Sequence, residues 1–209
     1  MTKPFDNINV KNKNKLLNLL RADIMNLEKD NNISKTIMDK NTICIIMSGC
    51  IQIIRNNYNG IDTIVETLNE NDILTSSMSY IKSNEYEFHI KENSQIIIID
   101  ENILLNYPEN SKGYYNQFIK NLFIILNDKM REKNERIQIL VKKSIRDKLL
   151  EYFYLLRSKS GSSNIYLPFN YTVLADFIGI NRSALMREIK NLKNEGFIET
   201  KGNKIKLLY

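Results

Sequence analysis

Residues 170–198, NYTVLADFIGINRSALMREIKNLKNEGFI, constrain this chain more than any other stretch, because two short helical patterns meet there across a turn. The first pattern predicts a helix from Tyr171 to Ile178, with Asn170 as its N-cap: the side-chain oxygen can accept a backbone N–H left unpaired in the first turn. Gly179 then supplies a residue that tolerates the left-handed conformation of a sharp helix ending. Asn181 is placed to cap a second helix, Arg182 to Asn194, which Gly196 ends. Leu185, Ile189 and Leu192 recur at spacings of four and three, an apolar stripe that can pack on Leu174, Ala175 and Ile178. The opposite face carries Arg182, Ser183, Met186, Arg187 and Lys190, with no carboxylate among them. Arginines projecting from the first turns of a helix suit the major groove of DNA, where a guanidinium bonds guanine O6 and N7 together. Two short runs follow, Phe197 to Thr200 and Lys204 to Leu208, with Lys201-Gly202-Asn203 between them as a hairpin turn. A helix-turn-helix followed by a hairpin is a winged helix.

Charge is distributed to match. Residues 1–110 hold 11 Lys+Arg against 15 Asp+Glu, a balance of −4, whereas residues 111–209 hold 19 against 9, a balance of +10. A basic second half meets a polyanion, and double-stranded DNA is the expected partner. A hydrophobic content of 43% and a charged content of 26% are those of an ordinary globular protein. The longest apolar runs, such as Ile96 to Ile99 and Leu122 to Leu126, are too short for a signal peptide or a membrane span, so the expected location is the cytoplasm. Two cysteines without a Cys-x-x-C fit a reducing compartment.

In chain order, Lys15 to Leu20 predicts a short helix. Strands are predicted at Asp23 to Leu27, Thr42 to Met47, Ile51 to Arg55, Thr63 to Leu68, Tyr86 to Ile90 and Gln95 to Ile99, where Ile, Thr and Tyr run between Asn, Asp, Gly and Ser. Asn59-Gly60 is a hairpin signal. So many short strands imply a small barrel or roll. From Ser111 to Val141 the spacing changes to helical, with Ile119, Leu122, Phe123, Leu126, Met130, Ile137 and Leu140 recurring. A helix of that length needs a partner for its stripe. Lys142-Lys143 marks a hinge, Ile145 to Ser158 a further helix, Ser158 to Asn164 a loop, and Ile165 to Phe169 a short strand. The fold class is therefore α+β: an N-terminal β-roll domain (1–110), a long dimerisation helix (111–141) and a C-terminal winged helix-turn-helix (142–209).

The spacing Leu174-Ala175, Gly179, Arg182, Arg187, Leu192, Gly196, Ile198 and a Gly202 turn resembles the DNA-binding domain of the Crp/Fnr family of bacterial transcription regulators. The Ser48-Gly49 turn among the strands is similar to the Ser-Gly of that family's cyclic-nucleotide-binding-type roll. The resemblance implies a homodimer paired along the long helix, reading successive major grooves of a palindromic site. It also implies base reading by Arg182 and Arg187, with Asn181, Ser183 and Lys190 on bases or phosphates. Ser183 stands where many members carry a glutamate, which removes an acceptor for cytosine N4. Met186 stands where Ser or Gly is usual and offers only apolar contact, for example to a thymine methyl.

Members that bind a cyclic nucleotide resemble one another in a Gly-Glu pair followed by Arg and Ser or Thr. Here the matching stretch is Asn71-Asp72-Ile73-Leu74-Thr75-Ser76, then Ser83-Asn84-Glu85-Tyr86, with no Gly-Glu and no arginine. Between Arg55 and Asp100, Lys82 and Lys91 are outnumbered by Asp62, Glu66, Glu70, Asp72, Glu85, Glu87 and Glu92, and a buried phosphate would lack a counter-charge. Cyclic AMP is not expected to bind by the family's contacts, and the effector is unknown. Thr75, Ser76, Ser77 and Ser79 could meet a neutral ligand or form a solvated loop. An iron–sulfur cluster takes about four thiolates, more than Cys44 and Cys50 provide, and both read as buried small hydrophobes. His89 reads as exposed, so no metal or other cofactor is expected.

With one histidine, no ligand cluster and no Gly-rich phosphate loop, enzyme activity has no support in these residues. The competing class is a protein-interaction adaptor using a degenerate roll, with the winged helix as a docking surface. Such a helix would expose large apolar side chains where this one shows arginines. Activation would add RNA polymerase as a partner, but no motif identifies the contact surface.

Overall fold

The computed structural model describes residues 2–33, 41–56, 63–75, 86–106, 113–168 and 170–209. They divide into two compact units, Met1–Asp128 and Lys129–Tyr209.

The first unit opens with α1 (Val10–Leu19), whose N-cap Asn9 accepts the Asn12 N–H at 2.9 Å. The helix therefore begins five residues before the expected Lys15, because the cap, and not the apolar run, sets its start. Then come β1 (Asp23–Leu27), β2 (Asn32–Ile33), β3 (Thr42–Ser48), β4 (Cys50–Arg55), β5 (Thr63–Asn69), β6 (Ile73–Thr75), β7 (Tyr86–Ile90) and β8 (Ser94–Asp100). Among the described residues they form two antiparallel four-stranded sheets, in the orders β1-β8-β3-β6 and β2-β7-β4-β5. A short helix, α2 (Glu101–Leu105), follows directly, capped by Asp100. The long helix α3 (Gly113–Leu140) comes next.

The isoleucine runs in β3 and β8 lack alternation because both faces of their sheet are buried. Ile43, Ile45, Ile97 and Ile99 point to one side, where Leu16, Leu20, Leu104, Phe118, Leu122 and Ile125 of the helices cover them. Cys44, Ile46 and Ile96 point to the other side, against Ile51, Ile53, Leu68, Phe88 and Ile90 of the second sheet. Tyr115, Phe118, Leu122 and Ile125 form the stripe by which α3 joins this core. Asn121 on the same helix is 2% exposed and donates to the carbonyls of Pro4 at 3.0 Å and Asp6 at 2.9 Å, tying down the start of the chain.

Other expectations change as well. Thr75 is not in a loop: Ile73–Thr75 is a strand, because Ile73 and Leu74 fill the two cores while their backbone pairs with Ile45 and Cys44. The two cysteines differ, Cys44 being buried, which pushes its thiol up to about 12, and Cys50 half-buried. His89 is half-buried, not freely exposed, and its Nε2 lies 3.0 Å from Glu87 Oε2. The strand expected to reach Phe169 is β9 (Asn164–Tyr166), ending ahead of Pro168, which has no N–H for a ladder. Asn59-Gly60, Ser76, Ser77, Ser79, Lys82, Ser83–Glu85, Ser111 and Phe169 lie outside the described residues.

The second unit takes the end of α3 and adds α4 (Ile145–Ser160), β9, α5 (Tyr171–Phe177), α6 (Arg182–Asn194), β10 (Ile198–Lys201) and β11 (Lys204–Leu207). β11 lies between β10 and β9 in a three-stranded antiparallel sheet. The helix expected to stop at Ser158 runs to Ser160, where Gly161 takes the left-handed turn at φ +64°. Among the described residues no helix is long and apolar enough to cross a membrane.

Gly49 at the β3–β4 turn has φ +87°, and a Cβ there would lie 2.2 Å from Ser94 Oγ and 2.5 Å from the Asn93 carbonyl. Both backbone strain and collision oppose any side chain. Gly49→Ala is expected to cost about 2 kcal/mol or more of stability, read as a lower urea midpoint at an unchanged slope.

Candidate DNA interface

Helices α5 and α6 are set by their caps. Asn170 Oδ1 accepts the N–H groups of Thr172 and Val173, each at 3.0 Å, and Asn181 Oδ1 accepts the Ser183 N–H at 2.7 Å. Between the helices Gly179 sits at φ +65°, and a Cβ on it would come to 3.2 Å from Leu140 Cδ2. Leu174, Ala175 and Ile178 of α5 share one core with Leu185, Ile189 and Leu192 of α6 and with Leu149, Tyr152 and Phe153 of α4.

Burying that stripe turns the other side of α6 to solvent. Asn181, Arg182, Ser183, Met186, Arg187 and Lys190 are all exposed, and Met186 is 39% exposed. Among the described residues the side chains of Arg182, Arg187 and Lys190 make no hydrogen bond or ion pair.

The carboxylates of Glu188 on α6 and of Glu195 at its C-cap are held elsewhere by one residue of α4. Arg146 Nε lies 3.1 Å from Glu188 Oε1, and its guanidinium also bonds Glu195. Those bonds, Glu195 foremost, raise the Arg146 pKa above its already high ordinary value. Its guanidinium also lies 5.5 Å from the centre of the Phe197 ring. The carboxylates are thus paired away from the arginines of the outer face.

The hairpin β10–β11 adds a second set of cations. Lys201 and Lys204 face each other across the two-residue turn Gly202-Asn203, and Tyr171 Oη donates to the Gly202 carbonyl at 3.1 Å, tying the turn to α5. Lys206 pairs with Glu199 at 3.3 Å, while Lys204 lies over the Tyr166 ring at 5.4 Å. In the sequence the alternation of Lys204 and Lys206 along β11 is the local signal for these cations. Among the described residues no group of three or more His, Cys, Asp or Glu is placed to hold a metal ion.

Residues 147–209 match the family model of the Crp-like helix-turn-helix domain. The HTH-type transcriptional regulator named ycf28 of Porphyra purpurea is 27% identical over 175 residues, which cover 81% of this chain and 72% of that protein. Residues 147–209 therefore belong to the Crp-like helix-turn-helix domain family. A shorter match, 30% identical over 80 residues (38% of this chain, 36% of the other), is to the transcriptional regulator named flp of Lacticaseibacillus casei. Among solved structures, CprK complexed with OCPA aligns at a TM-score of 0.65 and 16% identity, over 93% of this chain and 91% of that one. A CooA mutant from Carboxydothermus hydrogenoformans aligns at a TM-score of 0.56 and 17% identity, over 92% and 89%. At these identities the likeness is one of fold, and it covers the roll and the long helix as well as the helix-turn-helix domain.

The cap and the cations of α6 separate stability from recognition. Asn181→Ala is expected to lower stability by about 1 kcal/mol through the lost cap, whereas Arg182→Ala, at an unpaired surface position, should stay within about 0.5 kcal/mol of wild type. Chemical denaturation of the two variants side by side checks the contrast.

Proposed function

We propose that this chain is a transcription regulator of the Crp/Fnr type that binds a palindromic DNA operator as a homodimer, reading bases with α6 and needing no cyclic AMP. The observation that carries the reading is the outer face of α6, where Arg182, Arg187 and Lys190 have no protein partner among the described residues while Arg146 holds Glu188 and Glu195. An unpaired guanidinium at the start of a helix can meet a guanine edge without first breaking an ion pair. Ser183 and Met186 lie between the arginines and would tune the half-site, Met186 by apolar contact. Asn181 at the helix start, together with Lys201 and Lys204 of the wing, would hold phosphates and add affinity without sequence preference.

Dimerisation is proposed along α3. Phe123 is 67% exposed, Met130 65% and Ile137 54%, with Leu126 and Leu140 each 37%. Their spacings of three, four, seven and three place them at the a and d positions of a heptad, the seam of a two-stranded coiled coil. Lys133 takes the d position left between Met130 and Ile137, a polar residue of the sort that fixes register at a cost in stability. A twofold axis along this helix would carry two copies of α6, as a palindrome requires.

Independence from cyclic AMP rests on residues 71–75, which offer Asp72 and no cation where a phosphate would need one. The β6 strand reinforces this, since Ile73 and Leu74 are 1% and 2% exposed and belong to the two cores. RNA polymerase is a further proposed partner if regulation is by activation.

Two experiments test the reading. In selection from a random duplex pool near physiological salt, wild type without added nucleotide is expected to enrich one palindromic motif, and cyclic AMP is expected to change nothing. The Arg182→Ala, Arg187→Ala double variant should lose that motif while keeping weak, salt-sensitive retention; equal enrichment by both proteins would sink the base-reading role. In sedimentation, Met130→Glu should convert the dimer to monomer and weaken operator binding at least tenfold, because a charge at the seam must be desolvated. A dimer unmoved by the substitution would place the twofold interface elsewhere.

A further inference from the structure

The second unit contains a half-enclosed cavity of about 290 Å³ bounded by α3, α4 and α5, apart from the exposed face of α6. Ile139, Leu155, Leu156 and Phe177 supply its apolar wall. Its inner surface includes Tyr152, a residue only 5% exposed whose hydroxyl is buried and has no hydrogen-bond partner among the described residues. Its solvent end includes Glu132, Glu135 and Lys159. Lys159 pairs with Glu135, while Glu132 is exposed and has no hydrogen bond or ion pair among the described residues.

A buried hydroxyl without a partner has lost its water and gained nothing in exchange, and native interiors rarely tolerate that. Burial pushes the Tyr152 phenol up to about 12, so it remains an O–H donor throughout the physiological range. An apolar recess holding one unsatisfied donor has the make-up of a small-molecule site, in which apolar walls supply affinity and a few polar groups fix orientation. The charges at the open end define the rest of the ligand. Glu135 and Lys159 neutralise each other, and the Arg136 guanidinium is held against the Phe177 ring and carbonyl. Glu132 is therefore the carboxylate left to meet a ligand, which favours a cationic group over an anion. The volume lies at the lower limit for ligand pockets, suited to a single ring.

We propose that this cavity binds a small aromatic amine, its ring against Ile139, Leu156 and Phe177, an oxygen accepting from Tyr152 Oη, and its ammonium beside Glu132. Phe177 is the last residue of α5, and its carbonyl accepts from Arg136 Nε of α3 at 3.1 Å, so an occupant would touch the helix-turn-helix itself. The inference is independent of the DNA-binding reading, because binding is measured on the protein alone.

Titration calorimetry of the full chain with three probes tests it. Tyramine is expected to bind saturably at one site per chain, and phenethylamine, lacking the oxygen, about tenfold more weakly, the worth of one hydrogen bond to a buried donor. 3-(4-Hydroxyphenyl)propionate, with the same body and the opposite charge, should not saturate. Tyr152→Phe should erase the difference between the two amines while leaving phenethylamine unchanged, which also reports that the variant is folded. Leu156→Trp, which fills the recess, should abolish binding of both. Failure of either amine to saturate at millimolar concentration would overturn the proposal, as would tyramine binding indifferent to both substitutions. Tighter binding of the propionate than of tyramine would also overturn it.

Discussion

The burial of Leu185, Ile189 and Leu192 on one side of α6 is the constraint on which the proposed DNA-binding surface depends. Each is at most 4% exposed, so the helix cannot rotate without exposing its stripe, and Arg182, Met186, Arg187 and Lys190 must face outward. Arg146 completes the arrangement from α4 by holding Glu188 and Glu195. Without it, those carboxylates would be unpaired beside the proposed DNA-reading face, where they would oppose a phosphate backbone. One guanidinium thus shapes the electrostatics of a surface it does not belong to.

The first unit is built on a different principle. Its central sheet is buried on both faces, by helices on one side and by the second sheet on the other, so its strands need isoleucine at successive positions rather than alternating ones. That packing also commits the short strand β6, whose Ile73 and Leu74 each fill one of the two cores.

The contrast between Tyr115 and Tyr152 shows how local a polar obligation is. Tyr115 is buried on α3 and its hydroxyl donates to the Leu104 carbonyl, whereas Tyr152, buried to the same extent on α4, finds no acceptor among the described residues. The first is satisfied because α2 ends close by. The second lines a cavity where no backbone carbonyl completes the bond, and the sequence around the two residues does not distinguish them.

Local patterns in the sequence determined most of the helix-turn-helix: the two Asn caps, the Gly179 turn, the stripe on α6 and the cations opposite it all follow from spacing within one helix or one turn. The strands of the roll were legible as β-rich runs, because Ile and Thr clusters between turn residues are a local signal. Other features depended on partners far along the chain: β6 became a strand because β3 was there to pair with it. Only the tertiary structure decided that Arg146 would hold the carboxylates of α6, and that Tyr152 would be buried beside a cavity without an acceptor. The physical reason is common to all of these: a cap or a helical stripe is made by residues within about four positions of one another, whereas an ion pair between helices and a cavity among three of them exist only after distant segments pack.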